Sequence, residues 1–324
     1  MNCIHSILNG SYPQALFEII VIDDHSDDMT PQYVRDLGIL NVRLIELKDY
    51  IKLGENQPFK KRAIEAAIGE SKGDLIVTTD ADCLVPKDWL TLFAQFYEIG
   101  DKRFIAAPVN FHEEKSLFER FQSLDYIGMM GITGAGVQGN FTHMCNGANL
   151  AYEKKLFYEV GGFKGIDHVA SGDDMLLMQK VARFFPKVLG FLKNADATVH
   201  TKAKPTLKDF FSQRLRWASK SSSYTEGFTV FQLVVVFLFY SSIVFNLLMS
   251  IVWDSRLVFV LISQILIKIL FDYGFLKIMT RFFSRQDLMS AFLRGQMMHL
   301  IYIIFVGLSS NVKKKYTWKG RTVK

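Results

Sequence analysis

The stretch Asp74-Leu-Ile-Val-Thr-Thr-Asp80-Ala-Asp82 decides the fold. A short β-branched run that ends in acidic residues is typical of a buried strand that opens into a loop. Glu18-Ile-Ile-Val-Ile-Asp23 repeats this design, and the residues between the two runs predict a weaker strand at 42–47 and a helix at 60–70. Strands that alternate with helices indicate an α/β fold with a mostly parallel sheet, whose ligands bind beyond the carboxyl ends of the strands.

The middle of the chain continues this alternation. A further strand is predicted at 104–109 and a helix at 116–130. Glycines then recur at positions 128, 131, 134, 136 and 139, which predicts a flexible or tightly turning segment that shapes a substrate cleft. Two more helices are expected, at 173–184 and at 207–224, and the second has a basic face.

The composition changes from Phe228 onward, where Phe, Leu, Ile and Val dominate. Three apolar segments, at 228–253, 257–275 and 291–308, approach the roughly 20 residues that cross a bilayer. No secretory signal pattern precedes the soluble part, so we expect membrane insertion from this C-terminal zone. The sequence predicts three parts: a soluble domain at 1–226, a transmembrane region at 227–310 and a basic tail at 311–324.

The number of crossings is two or three. The second apolar segment contains Lys268 and Asp272, and the third contains Arg294 and His299, all costly groups at membrane depth. Three crossings would also place the basic run at 313–315 on the opposite side from the soluble domain, against the positive-inside tendency. Two crossings resolve this conflict, so the soluble domain and the tail are both expected in the cytosol, at the cell membrane.

The charges and cysteines narrow the class of partner. The formal net charge is +6, and the excess lies close to the apolar zone, which favours lipid headgroups over nucleic acid. The three cysteines have no paired or metal-ligand spacing, so neither a disulfide framework nor a zinc site is expected. A reducing compartment fits this usage.

The turn Asp80-Ala81-Asp82 is the first candidate site. Its carboxylates leave a strand close together at the ligand-binding edge of the sheet, and such hard oxygen ligands suit Mg²⁺ or Mn²⁺. A metal held there would be able to bridge two phosphates. The alternative is a strand-end turn in which Asp82 caps the next helix, near 86–89.

Two more acidic turns carry candidate residues. In Asp23-Asp24-His25-Ser26, a carboxylate after a strand can accept hydrogen bonds from a nucleobase or a ribose hydroxyl; the alternative is a solvated, helix-capping turn. In Ser171-Gly-Asp-Asp-Met175, Asp173 and Asp174 lie at a helix start, where the dipole keeps them ionised to take a proton from an acceptor hydroxyl. A plain capping box is the alternative there.

The helix before the apolar zone carries Gln213-Arg-Leu-Arg-Trp217. Gln213, Arg216 and Trp217 share a helix face, from which Arg216 can pair with phosphate and Trp217 can stack on a sugar. An interfacial helix that contacts lipid headgroups would have the same composition. Lys60 and Lys61 are candidates for the donor diphosphate, and His200 is a candidate additional metal ligand, each against an ordinary structural role.

In this order, the four motifs resemble glycosyltransferase family 2, whose members use the GT-A fold. The resemblance covers about residues 4–224. The membrane-bound branch of the family has C-terminal membrane helices. It implies a nucleotide-sugar donor, preferably a UDP-sugar, and a hydroxyl acceptor that is lipid-linked or a glycan. Carried over residue by residue, it implies Asp24 and Lys61 at the nucleotide sugar, Asp80 at the ribose or metal, Asp82 on the metal, Asp174 with Asp173 at the catalytic base, and Gln213, Arg216 and Trp217 near diphosphate and acceptor.

The sequence departs from the family pattern in two places. The family begins with a strand and a loop that line the nucleotide pocket, whereas this sequence begins at what resembles the following helix, so we expect the first strand to be lacking. Asp173 stands where Glu is common, a chemically mild change.

The expected reaction is a single in-line displacement that inverts the anomeric configuration. Asp174 takes the acceptor proton, and the metal stabilises the departing nucleoside diphosphate. Two alternatives from other classes stay open. One is a catalytically impaired, membrane-tethered nucleotide-binding scaffold, and the other is a nucleotidyl or phospho-sugar transferase that needs no hydroxyl-activating base.

Overall fold

The computed structural model describes residues 2–50, 59–169, 171–220, 223–224, 226–312, 316–318 and 321–323. The expected tail at 313–315 lies outside the described residues. The chain divides into two compact units. Among the described residues, the first unit comprises 2–109 and 133–201, and the second comprises 110–132 and 202–323. This division differs from the expected boundary at 226–227, because the second unit includes helices on both sides of that point.

The first half of the chain alternates helices and strands, as the apolar runs predict. Its elements are α1 (Asn2–Leu8), β1 (Ile19–Asp23), α2 (Thr30–Asp36), β2 (Val42–Glu46), α3 (Phe59–Glu70), β3 (Leu75–Thr78), α4 (Trp89–Ile99), β4 (Phe104–Ala106), β5 (Val109–His112), α5 (Leu117–Gln138) and β6 (Leu150–Glu153). The strand expected at 104–109 is two strands, since Pro108 has no N–H to continue a ladder.

The second half is mainly helical. Its elements are α6 (Lys154–Glu159), α7 (Asp173–Phe184), β7 (Leu189–Phe191), β8 (Val199–Lys202), α8 (Leu207–Ala218), α9 (Gly227–Val252), α10 (Leu257–Phe282), α11 (Phe292–Val312), β9 (Tyr316–Trp318) and β10 (Arg321–Val323). Helix α8 ends six residues before the expected 224. Ser219 closes it by donating its side-chain hydroxyl to the carbonyl of Arg216, at 2.9 Å, and serine favours such ends.

The strands of the first unit form separate sheets. Strands β1 and β2 form a two-stranded parallel sheet, from Ile19 opposite Val42 to Asp23 opposite Glu46. A four-stranded mixed sheet has the order β3-β6-β4-β7, in which β4 and β7 are parallel but β6 runs antiparallel to both of its neighbours. The parallel arrangement expected from the sequence therefore holds for two of these pairs. The carboxyl end of β3 leads directly to Asp80.

One apolar cluster packs residues of the four-stranded sheet against α6 and α7. Phe104 and Tyr152 lie opposite each other on β4 and β6 with ring centroids 5.5 Å apart, and Phe157 of α6 stacks on Tyr152 at 6.0 Å. Leu177 and Val181, one turn apart on α7, are buried in the same cluster. This packing fixes the start of α7 against the sheet.

The glycine-rich segment is the main correction to the predicted elements. Gly128, Gly131 and Gly134 lie inside one continuous helix, α5, rather than in a turning segment. Within the second unit, a Cβ on Gly131 would come to 2.8 Å from Met279 and from Phe275 of α10. Glycine costs a helix about 1 kcal/mol relative to alanine, but here it permits a close approach that no larger residue allows.

Helices α9, α10 and α11 give the second unit its membrane character. Three stretches, Gly227–Val252, Leu257–Phe282 and Gln286–Ser309, are long and apolar enough to cross a bilayer, with mean hydropathies of 2.2, 1.9 and 1.5. Two of the costly groups predicted at membrane depth are paired: Lys268 lies 2.6 Å from Asp272 and also donates to Gln296 of α11. Such pairing reduces the penalty of charge in an apolar region.

Candidate functional site

The turn after β3 brings two carboxylates together. The N–H of Cys83 donates to the carbonyl of Asp80 at 3.0 Å and closes the turn. Ligand atoms of Asp80, Asp82 and Cys83 all lie within 4.8 Å of one another; the two aspartates are exposed and the cysteine is buried. The helix α4 has Asp88 at its N-cap, so Asp82 does not cap it.

The second acidic pair lies at the start of α7. Gly172 precedes it with φ 78°, a left-handed conformation that suits glycine and turns the chain into the helix. Asp173 is only 6% exposed, whereas Asp174 is partly exposed. Asp174 accepts hydrogen bonds from the N–H of Gly147 at 2.9 Å and from its neighbour Met175 at 2.8 Å. These donors hold the carboxylate in one orientation.

Gly147 joins the two acidic segments. Its carbonyl accepts a hydrogen bond from the hydroxyl of Thr78, the last residue of β3, at 2.7 Å. Its N–H donates to Asp174, so this one residue connects the strand that leads to Asp80 with the helix that carries Asp174. The neighbouring Asn149 is buried and structural: it accepts from the indole of Trp89 at 2.8 Å and donates to two carbonyls.

Lys60 of α3 lies close to both acidic pairs. Its Nζ lies 3.1 Å from Asp173 Oδ2 and 3.9 Å from Asp80 Oδ1. Burial disfavours its charge, but Asp173, Asp80 and Asp174 together raise the pKa of the ammonium above its usual value. Sequence-distant residues of three elements therefore form one charged cluster, named here the Lys60 cluster: Lys60, Asp80, Asp82, Asp173 and Asp174.

The pKa of Asp80 is raised within this cluster. Desolvation is the largest cause, Lys60 acts in the opposite sense, and the carboxylates of Asp82, Asp173 and Asp174 add to the rise. Half of the Asp80 side chain is exposed, so solvent screens part of these effects. Crowded acidic groups with one lysine are suited to binding a cation or to exchanging a proton.

Lys61 lies elsewhere. It is 1% exposed, and its Nζ donates to the carbonyls of Ile166 and Val169, both at 2.5 Å. Adjacent residues on a helix point about 100° apart, so only one of two neighbouring lysines reaches the cluster. The structure places Lys60 there, and places Lys61 against the loop that precedes Asp173. The expected role of Lys61 at the nucleotide sugar stays a prediction.

The first acidic loop is stabilised by contacts among its own residues. Asp23 is buried and accepts from the N–H of Ser26 at 3.2 Å, while Asp24 lies 3.1 Å from Nδ1 of His25. His25 has φ 56°, an uncommon left-handed conformation for a residue other than glycine. Helix α2 has Met29 at its N-cap, and Asp28 of the same acidic stretch accepts from the N–H of Thr30, the first residue of the helix, at 2.9 Å. The role of Asp24 at a nucleobase stays a prediction.

The remaining candidates lie on α8 in the second unit. Gln213, Arg216 and Trp217 are all partly buried, and Trp217 lies 5.9 Å from the ring of Tyr126. The arginine that sequence reasoning did not weigh is Arg214, which is buried and pairs with Asp125. The sequence of the motif does not indicate whether Arg214 or Arg216 is the buried arginine.

The two exposed carboxylates fit a divalent cation. The pKa of the Cys83 thiol is raised to about 12, mainly by burial and further by Asp80, which favours the neutral thiol. Mg²⁺ is commonly bound through one or two carboxylates and the phosphates of a substrate, which matches Asp80 and Asp82. His200 is outside the Asp80–Asp82–Cys83 group, and its backbone pairs with that of Leu84.

The fold and the site define a class of α/β protein with a carboxylate cluster beyond the sheet's strand ends, followed by apolar helices. Residues 2–161 match the model of "Glycosyl transferase family 2". This match covers about half of the chain and supports the expected family, and the mixed α/β fold agrees with the GT-A type expected from the motifs. Among curated proteins, it is 26% identical over 228 residues to the probable glycosyltransferase YdaM of Bacillus subtilis (strain 168), across 66% of this chain and 50% of that protein.

The chain thus spans about half the length of this curated relative. Among solved structures, it is similar to S. aureus TarS 1-349 in complex with UDP-GlcNAc, with a TM-score of 0.45 and 13% identity across 99% of this chain and 91% of that one. It is also similar to glucosyl-3-phosphoglycerate synthase from Mycobacterium tuberculosis, with a TM-score of 0.42 and 14% identity across 64% and 70% of the two chains.

Proposed function

We propose that this protein transfers a sugar from a nucleotide-diphosphate sugar to a hydroxyl acceptor at a membrane, with inversion at the anomeric carbon. The observation that carries the proposal is the Lys60 cluster, in which the Asp80–Asp82 turn and the Asp173–Asp174 pair share one lysine. The match to the family model supports glycosyl transfer as the reaction class. The donor is a UDP-sugar, in keeping with the family resemblance.

Asp174 is the general base of the proposed reaction. Two backbone N–H groups donate to its carboxylate oxygens and hold them in one orientation. Asp173 is buried against the Lys60 ammonium at 3.1 Å, so its charge is already neutralised by an ion pair. This contrast supports Asp174 as the residue that takes the acceptor proton and Asp173 as the residue that holds Lys60.

Asp80 and Asp82 are the residues that would hold Mg²⁺ or Mn²⁺, which supplies stabilisation of the charge on the leaving diphosphate. Lys60 offers a second positive charge close to the same position, since its Nζ is 3.9 Å from Asp80. We assign the diphosphate contact expected of a lysine to Lys60. Asp24 remains the candidate for the nucleobase, and Gln213, Arg216 and Trp217 remain the candidates for diphosphate and acceptor.

The apolar helices support action at a membrane, on a lipid-linked or glycan acceptor. Their side chains are largely exposed, as at Phe245, Ile251 and Phe271, which are 61%, 75% and 72% exposed. Exposed apolar faces of this size are stable in lipid and costly in water. We place the first unit in the cytosol together with the basic tail expected at 311–324, an arrangement in which two of the three apolar stretches cross the bilayer.

Product analysis tests the proposal. Membranes that contain the full chain are incubated with UDP-GlcNAc, UDP-glucose and UDP-galactose in turn, with membranes lacking the protein as the control. Release of free UDP together with sugar in the membrane fraction is the expected result. Release of UMP or pyrophosphate would instead identify a phospho-sugar or nucleotidyl transferase. Release of no nucleotide from any nucleotide-sugar donor would leave the scaffold alternative.

A further inference from the structure

Helix α8 carries one fully buried charge, and it belongs to none of the roles assigned above. Arg214 is 4% exposed, and its Nη2 donates to Asp125 Oδ2 of α5 at 2.9 Å. The Asp125 side chain is 5% exposed. Both residues belong to the second unit. A buried ion pair contributes little net stability compared with apolar residues of similar size, so its presence calls for another explanation.

Asp125 connects α8 to an apolar helix. Its other oxygen, Oδ1, accepts a hydrogen bond from the hydroxyl of Tyr302 on α11 at 2.9 Å. His299, one turn earlier on α11, has Nε2 3.6 Å from the same oxygen. Asp125 of α5 therefore contacts side chains of both α8 and α11.

Arg214 in turn contacts the aromatic residue of the motif. Its guanidinium carbon lies 4.4 Å from the ring of Trp217, 4.8 Å from that of Phe210 and 5.8 Å from that of Tyr302. A guanidinium at these distances attracts an aromatic face, most strongly that of tryptophan. The spacing of three residues places Arg214 and Trp217 on the same side of α8.

The orientation of the guanidinium depends on Asp125. The buried Nε and Nη1 of Arg214 have no hydrogen-bond partner among the residues that the structure describes, and Nη2 bonds to Asp125. One carboxylate therefore orients the planar guanidinium. The same guanidinium lies against the Trp217 ring, 4.4 Å from its centre.

We propose that Asp125 and Arg214 are positioning residues, which hold the indole of Trp217 in the orientation that receives the acceptor. The inference rests on the proposed function for its kinetic consequence, but the orientation of Trp217 is measurable without any turnover. Tyr302 of α11 donates to the same Asp125 carboxylate. An apolar helix of the second unit therefore helps to orient Arg214 and Trp217.

The test separates positioning from stability. Asp125→Asn removes the charge that orients Arg214. The triple variant Asp125→Leu/Arg214→Met/Tyr302→Phe removes the ion pair and the hydroxyl that donates to Asp125, and such apolar replacements of buried ion pairs are often neutral or stabilising. Glu114→Gln is the matched control, because Glu114 pairs with Arg285 at 2.8 Å in the same unit and its other side-chain partner is Ser123.

The first readout is the near-UV circular dichroism of full-length protein in detergent, with Trp217→Phe as the reference that isolates the Trp217 signal. We expect Asp125→Asn and the triple variant to lose about half or more of that signal, and Glu114→Gln to keep it. Unfolding temperature is measured in parallel, and the triple variant is expected to match the wild type. Retention of the full Trp217 signal in a stable triple variant would overturn the inference.

The second readout is the ratio of sugar transfer into the membrane fraction to hydrolysis of UDP-GlcNAc by water. We expect this ratio to fall about 10-fold or more in both Asp125 variants, since small misplacements of a positioning group cost rate on this scale. Hydrolysis itself should be retained. An unchanged ratio in the triple variant would show that the array is structural only. Absence of turnover in the wild type would refute the proposed function but leave the dichroism result to decide this inference.

Discussion

Replacement of Lys60 by methionine removes the positive charge of the Lys60 cluster. Among the described residues of that cluster, no other cation offsets the four aspartates. At 3.1 Å, the attraction between Lys60 and Asp173 is about 5 kcal/mol at an effective dielectric constant of 20. The lysine side chain is 35% exposed, and solvent screening reduces the expected cost to about 2 kcal/mol. For a unit of this size, that loss lowers the unfolding temperature by about 4–8 °C.

The same change has a defined effect on pH dependence. Lys60 lowers the pKa of Asp80, which desolvation and three neighbouring carboxylates raise. Without Lys60, that pKa rises further, so Asp80 takes up a proton at a higher pH than in the wild type. Activity that needs ionised Asp80 is lost as the pH falls through this pKa. The acidic limb of the rate profile should therefore move to higher pH in Lys60→Met and return in Lys60→Arg.

The assay is UDP release from UDP-GlcNAc by detergent-solubilised protein between pH 5 and pH 8. Lys61→Met is the matched control, because the neighbouring ammonium binds the carbonyls of Ile166 and Val169 instead of the cluster. It should lower stability and leave the acidic limb in place. An acidic limb of Lys60→Met that coincides with the wild type would refute the electrostatic account. A loss of donor affinity in Lys61→Met alone would return the donor-binding role to Lys61.

Three further predictions concern the metal, the packing of α5 and the topology. Asp82→Asn should abolish divalent-dependent UDP release with little change in unfolding temperature, and full activity in excess chelator would contradict the metal assignment. Gly131→Ala should destabilise by about 1–3 kcal/mol, because its Cβ would meet Met279 and Phe275 at 2.8 Å, whereas Gly69→Ala, with open space, should stabilise the helix. A cysteine placed in the tail at 313–315 should resist membrane-impermeant labels in intact cells, and labelling from outside would favour three crossings.

The strand ends of the site are predictable because their chemistry is local. A β-branched run followed by acidic residues defines both the strand and the loop, and β1 and β3 end where those runs end. The start of α7 is predictable for the same reason, since Gly172 and two carboxylates form a helix N-terminus. These features need no knowledge of what packs against them.

The rest depends on contacts that a single sequence does not contain. The glycines of α5 have the composition of a turn, and only the rings of α10 and Phe191 explain why a helix tolerates them. Lys60 and Lys61 are equivalent in sequence, and the packing of α3 alone decides which ammonium meets the acids. Arg214 is one of two arginines in its motif, and its burial follows from a carboxylate on α5, 89 positions away.

The central claim is that the Lys60 cluster transfers a sugar with Asp174 as the base. Asp174→Asn keeps the shape of the side chain but cannot accept the proton, and it retains an oxygen for one of its two backbone donors. The most direct measurement is single-turnover transfer from UDP-GlcNAc by wild type, Asp174→Asn and Asp173→Asn, with donor binding followed separately. We expect Asp174→Asn to bind the donor and lose about 10²-fold or more in rate, and Asp173→Asn to lose less. Normal turnover in Asp174→Asn would contradict the account.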